Sequence, residues 1–270
     1  MSERMKTVLT IAGFDPSSGA GVTADLMVFA AHGLFGTSCI TSLTVQSTVG
    51  VSASYPVAAE VVRATLDCLW ADLPAAGVKI GMLATAANVE VVAEFVRSLR
   101  GRVSVVLDPV LRSSSGRELL DAEGVRLVRE RLLPVVDWVT PNLDELGILT
   151  GRQVARREDV PAAAQALQEL GGGVNVLATG GHLAVPDDLV LMRGGAMHWL
   201  AGERVETSST HGTGCALSSA LLCRLVSGDE AAEAAAGAKR YVSEAMRLGV
   251  PLGEGRGPVR HLWPLLKGEE

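Results

Sequence analysis

The chain has 270 residues, 48% of them hydrophobic and 20% charged, a composition that supplies a large buried core and excludes a disordered or fibrous protein. Its formal charge of -6 and pI near 5.5 give no general attraction to nucleic acid or anionic lipid, so an anionic ligand has to be held by local groups. The four cysteines, Cys39, Cys68, Cys215 and Cys223, have neither zinc-ligand spacing nor the density of a disulfide scaffold, and read as reduced thiols in a cytoplasm.

MSERMK leads straight into the apolar segment KTVLTIA from Lys6, without the h-region and cleavage site of an export signal. Further β-branched runs follow: TSCITSLTVQ from Thr37, GVKIGM from Gly77, VSVVLD from Val103, VVDWVT from Val135 and VNVLAT from Val174. Helix-period stretches lie between them at Ala58 to Ala71, Ala86 to Leu99, Glu118 to Leu133 and Pro161 to Leu170. Strand and helix alternating in this way predict parallel βαβ units and a doubly wound sheet. Between Asp188 and Leu200, DLVLMRGGAMHWL reads as a hairpin about Gly194 and Gly195 and predicts an antiparallel edge. The apolar stretch from Cys215 is too short for a membrane span and is interrupted by Arg224, and the Ala-rich segment from Ala231 to Ala238 fits a helix. With no repeat or long polar linker, residues 1–270 are expected to form one domain.

Two glycine-rich segments carry chemistry. In THGTGCALSSAL, Gly212 and Gly214 flank Thr213 just before a helix, so backbone N–H groups and the positive helix end converge on one spot, a place for a phosphate. In TIAGFDPSSGAGVTADL a strand ends and Gly13, Gly19 and Gly21 loosen the loop before a helix. The second segment matches neither GxxxxGK(S/T) nor GxGxxG. Asp15 fits a turn former or a ligand contact equally, and Asp25 fits a carboxylate in the first turn of a helix. Asn142 and Glu145 in TPNLDE suit a helix cap, Asn142 capping and Glu145 reaching back across the first turn. The five histidines have no metal-ligand spacing and read as structural or surface residues.

Read as a set, IAGxDPSxGAG, VKIGM at Val78 to Met82, DPV at Asp108 to Val110, TPNLDE at Thr140 to Glu145 and HGTGC at His211 to Cys215 resemble the hydroxymethylpyrimidine and phosphomethylpyrimidine kinases of the ribokinase-like superfamily. Similarity extends to Gly180-Gly181-His182, AAAGAKRYVSEA around Lys239 and LGEGRGPVRHL, and so spans almost the whole chain.

The resemblance implies a three-layer α/β/α sandwich with a mostly parallel central sheet and no large separate lid domain. It also implies ATP with Mg²⁺, and stepwise phosphorylation of 4-amino-5-hydroxymethyl-2-methylpyrimidine in thiamine biosynthesis. Residue by residue, it places an anion hole at Gly212, Thr213 and Gly214 with Cys215 as the base, and Mg²⁺ at Asp108 and Glu145. It places the pyrimidine at Gly13, Asp25, Gln46 and Met82, and the nucleotide at Asn142, Thr179, Gly181 and Lys239. A Gln46 amide offers both donors and an acceptor to an aminopyrimidine edge.

Two positions depart from the pattern. Thr179 stands where many relatives have lysine, leaving Lys239 or Arg112 as the basic residue to offset it, and Phe14 replaces a small polar residue. Alternatives within reach of the same residues are a pyridoxine or pyridoxal kinase and a regulator that binds nucleotide or vitamin without chemistry. With little sequence beyond the α/β core to build a lid, a homodimer is expected, and the resemblance implies one whose partner helps cover the site.

Overall fold

The fold follows from which strands are buried on both faces. A computed structural model describes residues 5–113 and 116–268. Strand β1 (Thr7–Phe14) lies between β2 (Phe35–Ser47) and β4 (Gly77–Ile80), parallel to both. Parallel strands β5 (Ser104–Leu107), β6 (Trp138–Val139) and β7 (Asn175–Ala178) follow outward from β4. Antiparallel strands close both edges, β3 (Gly50–Pro56) against β2, and β8 (Asp188–Leu191) with β9 (Met197–Leu200) against β7. The nine strands run in the order β3-β2-β1-β4-β5-β6-β7-β8-β9.

Alternation along the strands assigns residues to two cores, as the two-residue period of a pleated strand requires. Leu9, Ile11, Val105, Leu107, Val176, Ala178, Leu189 and Leu191 join one, while Val8, Val106, Leu177 and Val190 join the other. The first core is closed by α2 (Ala59–Asp72), α3 (Ala86–Leu99), α4 (Ala122–Leu127), α5 (Leu143–Thr150) and α6 (Val160–Leu170). The second is closed by α1 (Gly21–Ala31), α7 (Thr213–Ser227) and α8 (Ala231–Arg247). Helices on both faces of a mostly parallel sheet make the expected three layers.

The helix expected over Glu118 to Leu133 is shorter and less regular. Asp121 caps α4, its Oδ1 accepting the Gly124 N–H at 2.7 Å, and Glu118 is drawn instead into a bridge with Arg112. The chain then loosens into a π turn over Val128–Leu132 and a 3-10 turn at Leu133–Val135, where Pro134 cannot donate to a continuing helix. The hairpin at Asp188 to Leu200 is present and turns at Gly195, φ +84°. Strand β3, which no apolar run announces, pairs antiparallel with the latter half of β2, Ser42 opposite Pro56 and Ser47 opposite Gly50.

Candidate active site

Strand order reverses between β1 and β4, and in open α/β sheets the crevice beyond the carboxyl ends of the strands at such a point receives ligands. The loops that follow β1, β4, β5 and β6 converge there with the N-terminus of α7.

The loop after β1 is organised by Asp15. Its Oδ1 accepts the Ser17 N–H at 2.9 Å and the Ser17 hydroxyl at 2.7 Å, and its Oδ2 accepts the Ala20 N–H at 3.0 Å. His211 Nε2 lies 2.7 Å from the same Oδ2, and Gln46 Nε2 approaches that ring nitrogen at 3.1 Å. Burial raises the Asp15 carboxyl, but the His211 and Ser17 hydrogen bonds outweigh it and hold the group below the usual carboxylate range. Asp15 is therefore the turn former, and it ties the β1 loop to the segment that enters α7.

That segment turns at Gly212, whose φ of +83° is open to glycine and whose added Cβ would lie 1.8 Å from the Gly19 carbonyl oxygen. The turn makes Gly212 the N-cap of α7, and the first intrahelical bond runs from Ala216 N–H to the Gly212 carbonyl at 2.8 Å. The N–H groups of Thr213, Gly214 and Cys215 precede the first N–H that can pair within the helix, so they and the helix dipole face outward together. A Cβ on Gly214 would stand 3.8 and 3.9 Å from the two oxygens of Asp108. The start of α7 and the carboxylate that ends β5 thus share one small space.

Behind that space lies a buried charge cluster. Lys79, fully buried on β4, has its Nζ 2.9 Å from Asp25 Oδ2 and 4.0 Å from Asp108 Oδ2. Asp25 also accepts from Thr10 at 2.6 Å and from Ser219 at 2.7 Å, and Ser218 donates to Asp108 at 3.3 Å. Burial alone would strip the Lys79 proton, but the charges of Asp25 and Asp108 outweigh it and hold the ammonium charged. Burial raises Asp108. It likewise pushes Glu145 up to about 8, helped by the charge of Asp108 and opposed by the N–H groups of Asn142 and Leu111. The Cys215 thiol is pushed up to about 12, first by burial, against the pull of Lys79 and with Asp108 and Asp25 adding to the rise. The free site therefore carries a neutral thiol.

Residues 15–260 match the family model described as phosphomethylpyrimidine kinase. The chain belongs to the phosphomethylpyrimidine kinase family. It is 42% identical over 258 residues to the hydroxymethylpyrimidine/phosphomethylpyrimidine kinase of Streptomyces coelicolor, covering 96% of this chain and 95% of that one. It is also 42% identical over 257 residues to a thiamine biosynthesis bifunctional protein of Geobacter sulfurreducens, spanning 95% of this chain but only 52% of that longer protein. In structure it superimposes on an ADP complex of Bacillus subtilis pyridoxal kinase with a TM-score of 0.86 at 30% identity, over 95% of this chain and 97% of that one.

Within this phosphomethylpyrimidine kinase fold, the residues singled out in the sequence fall into three sets. Gly13 and Met82 touch, since a Cβ on Gly13 would lie 2.9 Å from the Met82 sulfur, and Gln46 reaches the Asp15–His211 pair. Asn142 caps α5 in a full capping box: its side chain accepts the Glu145 N–H and the Glu145 carboxylate accepts the Asn142 N–H, both at 2.9 Å. Thr179 N–H donates to the Pro141 carbonyl at 2.9 Å beside Asn142, and Gly181 is exposed with open space around it.

Three of these residues are engaged elsewhere. Asp25 is fully buried against Lys79, Thr10 and Ser219 rather than on the pocket wall. Lys239 pairs with Asp188 at 2.9 Å and donates to the Pro186 carbonyl at 2.8 Å, and Asp188 in turn accepts the Gly180 N–H at 2.9 Å. Lys239 thus shapes the Gly180–Gly181 turn through Asp188. Arg112 pairs with Glu118 at 3.5 Å on the surface. Lys79, Ser218 and Ser219 were not anticipated. The one available signal was a lysine in the middle of an apolar strand flanked by glycines.

No cluster of three or more His, Cys, Asp or Glu side chains suited to a metal occurs among the described residues. Mg²⁺ bound through phosphate oxygens and waters needs only one or two carboxylates. Asp108 and Glu145 are both buried and both raised, and Asp108 makes the charge of Glu145 harder to hold, a condition that a divalent cation relieves. The pair fits.

Proposed function

We propose that this site moves the γ-phosphoryl group of ATP onto the hydroxymethyl oxygen of 4-amino-5-hydroxymethyl-2-methylpyrimidine and, in a second turnover, onto the phosphate of the monophosphate. The chain is a phosphotransferase of thiamine biosynthesis. The observation that carries the residue roles is the Gly212–Cys215 turn, where unpaired N–H groups, a helix dipole, a carboxylate and a thiol meet.

The N–H groups of Thr213, Gly214 and Cys215 orient the transferring phosphoryl oxygens and stabilise charge that collects on them. Asp108 and Glu145 would hold Mg²⁺, which when bound neutralises charge on the phosphates. Asn142, Thr179 and Gly181 receive the nucleotide at the ends of β6 and β7. Gly13, Gln46 and Met82 bind the pyrimidine, with the Gln46 carbonyl oxygen accepting the Thr44 hydroxyl at 3.2 Å. As the new O–P bond forms and the bond to ADP breaks, the hydroxyl proton passes to the Cys215 sulfur. That sulfur also receives the Gly21 N–H, so the N-termini of α1 and α7 both point at it. Because the free thiol is protonated, its own proton has to leave to solvent before transfer, so that the thiolate can take up the hydroxyl proton.

Formation of ADP that depends on both Mg²⁺ and the pyrimidine tests the reading; ligand binding without ADP would instead indicate a regulator. The likeness to a pyridoxal kinase supports pyridoxal as a second substrate, since fold alone does not separate the two rings.

The enzyme is a homodimer in this reading. Leu43, Val45 and Tyr55 are each at least half exposed on the β2–β3 hairpin, with Leu43 paired to Tyr55 in register, an apolar face that a second copy would cover. A monomeric mass at concentrations giving full activity rejects it. All four cysteines are free thiols and no described helix is long and apolar enough to cross a membrane, which supports a cytoplasmic enzyme.

A further inference from the structure

A buried lysine is an expensive way to fill a strand. Replacing a buried ion pair by apolar residues of similar volume is often neutral or stabilising, so a desolvated ammonium is weak evidence for stability alone. Lys79 is nonetheless built in. It occupies the middle of β4 with no exposed surface, and Gly81 leaves room for it, because a Cβ there would lie 2.8 Å from Nζ. Its single close partner is Asp25; Asp108, at 4.0 Å, is beyond hydrogen-bond reach and is held by charge alone.

The two carboxylates beside Lys79 are both gripped by α7. Ser219 donates to Asp25 at 2.7 Å and the preceding residue, Ser218, donates to Asp108 at 3.3 Å. One ammonium therefore lies between two anions that α7 carries on adjacent residues, one of them at the mouth of the anion hole. Without it, two buried carboxylates would repel each other across the start of that helix. The hydrogen bonds to Asp25 account for its place in the core, but they do not require a cation, since an amide could accept from one of Thr10 and Ser219 and donate to the hydroxyl of the other. What only the charge supplies is attraction on Asp108 and a positive field next to the transfer site.

We propose that Lys79 is a positioning residue for phosphoryl transfer: its ammonium, anchored on Asp25, holds the Asp108 carboxylate against the N-terminus of α7 and contributes positive field where the phosphoryl group moves. This rests on the reading of Asp108 as a carboxylate of the transfer site.

The test compares Lys79→Met, Asp25→Asn and the charge-balanced double variant Asp25→Asn/Lys79→Met, with thermal midpoint, kcat and the KM of ATP and of the pyrimidine measured for each. The double variant removes both members of the ion pair while leaving one amide group to accept from one of the Thr10 and Ser219 hydroxyls and donate to the other. It is expected to melt within about 4 °C of the parent, the span of roughly one kcal/mol for a chain of this size. Its kcat is expected to fall by about 10²-fold, with both KM values changed less than about threefold, the pattern of an interaction used in the transition state. Asp25→Asn alone, which keeps the ammonium, should retain kcat within about tenfold.

Recovery of parental kcat in the double variant would reduce Lys79 to a counter-ion for Asp25 and overturn the proposal. So would parental kcat in Lys79→Met, an equal loss in Asp25→Asn alone, or a double variant that fails to fold, since the role is separable from folding. Asp108→Asn, assayed in parallel for Mg²⁺ dependence, checks the premise on its own: an unchanged dependence would remove the reading of Asp108 without bearing on the charge comparison.

Discussion

Replacing Gly214 by alanine separates stability from chemistry. The residue is in the first turn of α7, is exposed, and has no left-handed backbone, so alanine meets no strain there. Its Cβ would contact only the Asp108 oxygens, at 3.8 and 3.9 Å, an ordinary van der Waals distance. Glycine in a helix costs about 0.5–1 kcal/mol relative to alanine, so the variant should be as stable as the parent or melt up to about 4 °C higher. The same methyl group would occupy the space between the anion-hole N–H groups and Asp108 that the phosphoryl oxygens need. Displacing them by about 1 Å costs on the order of 10²-fold in turnover. Differential scanning calorimetry and steady-state ADP release measure the two effects on one preparation. A variant with parental kcat would refute the location of the anion hole, and one that unfolds would refute the strain argument. Gly212→Ala is the counterpart: with φ at +83° and a backbone oxygen 1.8 Å from its Cβ, it should lose both stability and activity.

Cys215→Ala should lower kcat by about 10²–10⁴-fold with little effect on ATP affinity, the usual contribution of a general base, while Cys223→Ala should not. A thiol pushed up to about 12 should alkylate slowly at neutral pH in the free enzyme, and rapid labelling of Cys215 there would contradict the neutral thiol. Glu145 rises from 4.5 to about 8, so between those values the folded state keeps a proton that the unfolded state has lost, and stability without metal falls as pH rises through that window. Glu145→Gln, which preserves the capping box, should remove that fall and raise stability at pH 8 by a few kcal/mol at most, while raising the Mg²⁺ requirement for turnover; a parallel pH dependence of stability in both proteins would contradict it. Gln46→Leu should weaken the pyrimidine by about 1–3 kcal/mol and ATP far less, read as the change in each KM; equal losses would indicate general damage to the pocket.

The layered fold was legible because its central strands are buried on both faces and so appear as β-branched, mostly apolar runs, as KTVLTIA does for β1. Strand β3 was not, since Gly50–Pro56 is half-buried or exposed throughout and has no apolar face to read. The anion-hole turn was legible from glycine spacing, and the α5 cap from Asn142 and Glu145, because both are local. What escaped depends on distance along the chain. His211 meets Asp15 across 196 positions and Ser219 meets Asp25 across 194, and no periodicity reports such a pairing. Lys79 escaped for the same reason: in sequence it is one lysine in a short strand, and its function as a buried cation exists only once α1 and the end of β5 bring carboxylates to it. The resemblance places Asp25 beside the pyrimidine, but its side chain is fully buried against Lys79, Thr10 and Ser219.

The phosphotransferase reading is tested most directly by kcat/KM measured side by side for 4-amino-5-hydroxymethyl-2-methylpyrimidine, its monophosphate and pyridoxal, with Mg²⁺-ATP held constant. A site whose Gln46 amide is matched to an aminopyrimidine edge should favour the two pyrimidines over pyridoxal by at least about tenfold, the discrimination of one well-placed polar contact. Preference for pyridoxal, or no ADP formation with either pyrimidine, would contradict it.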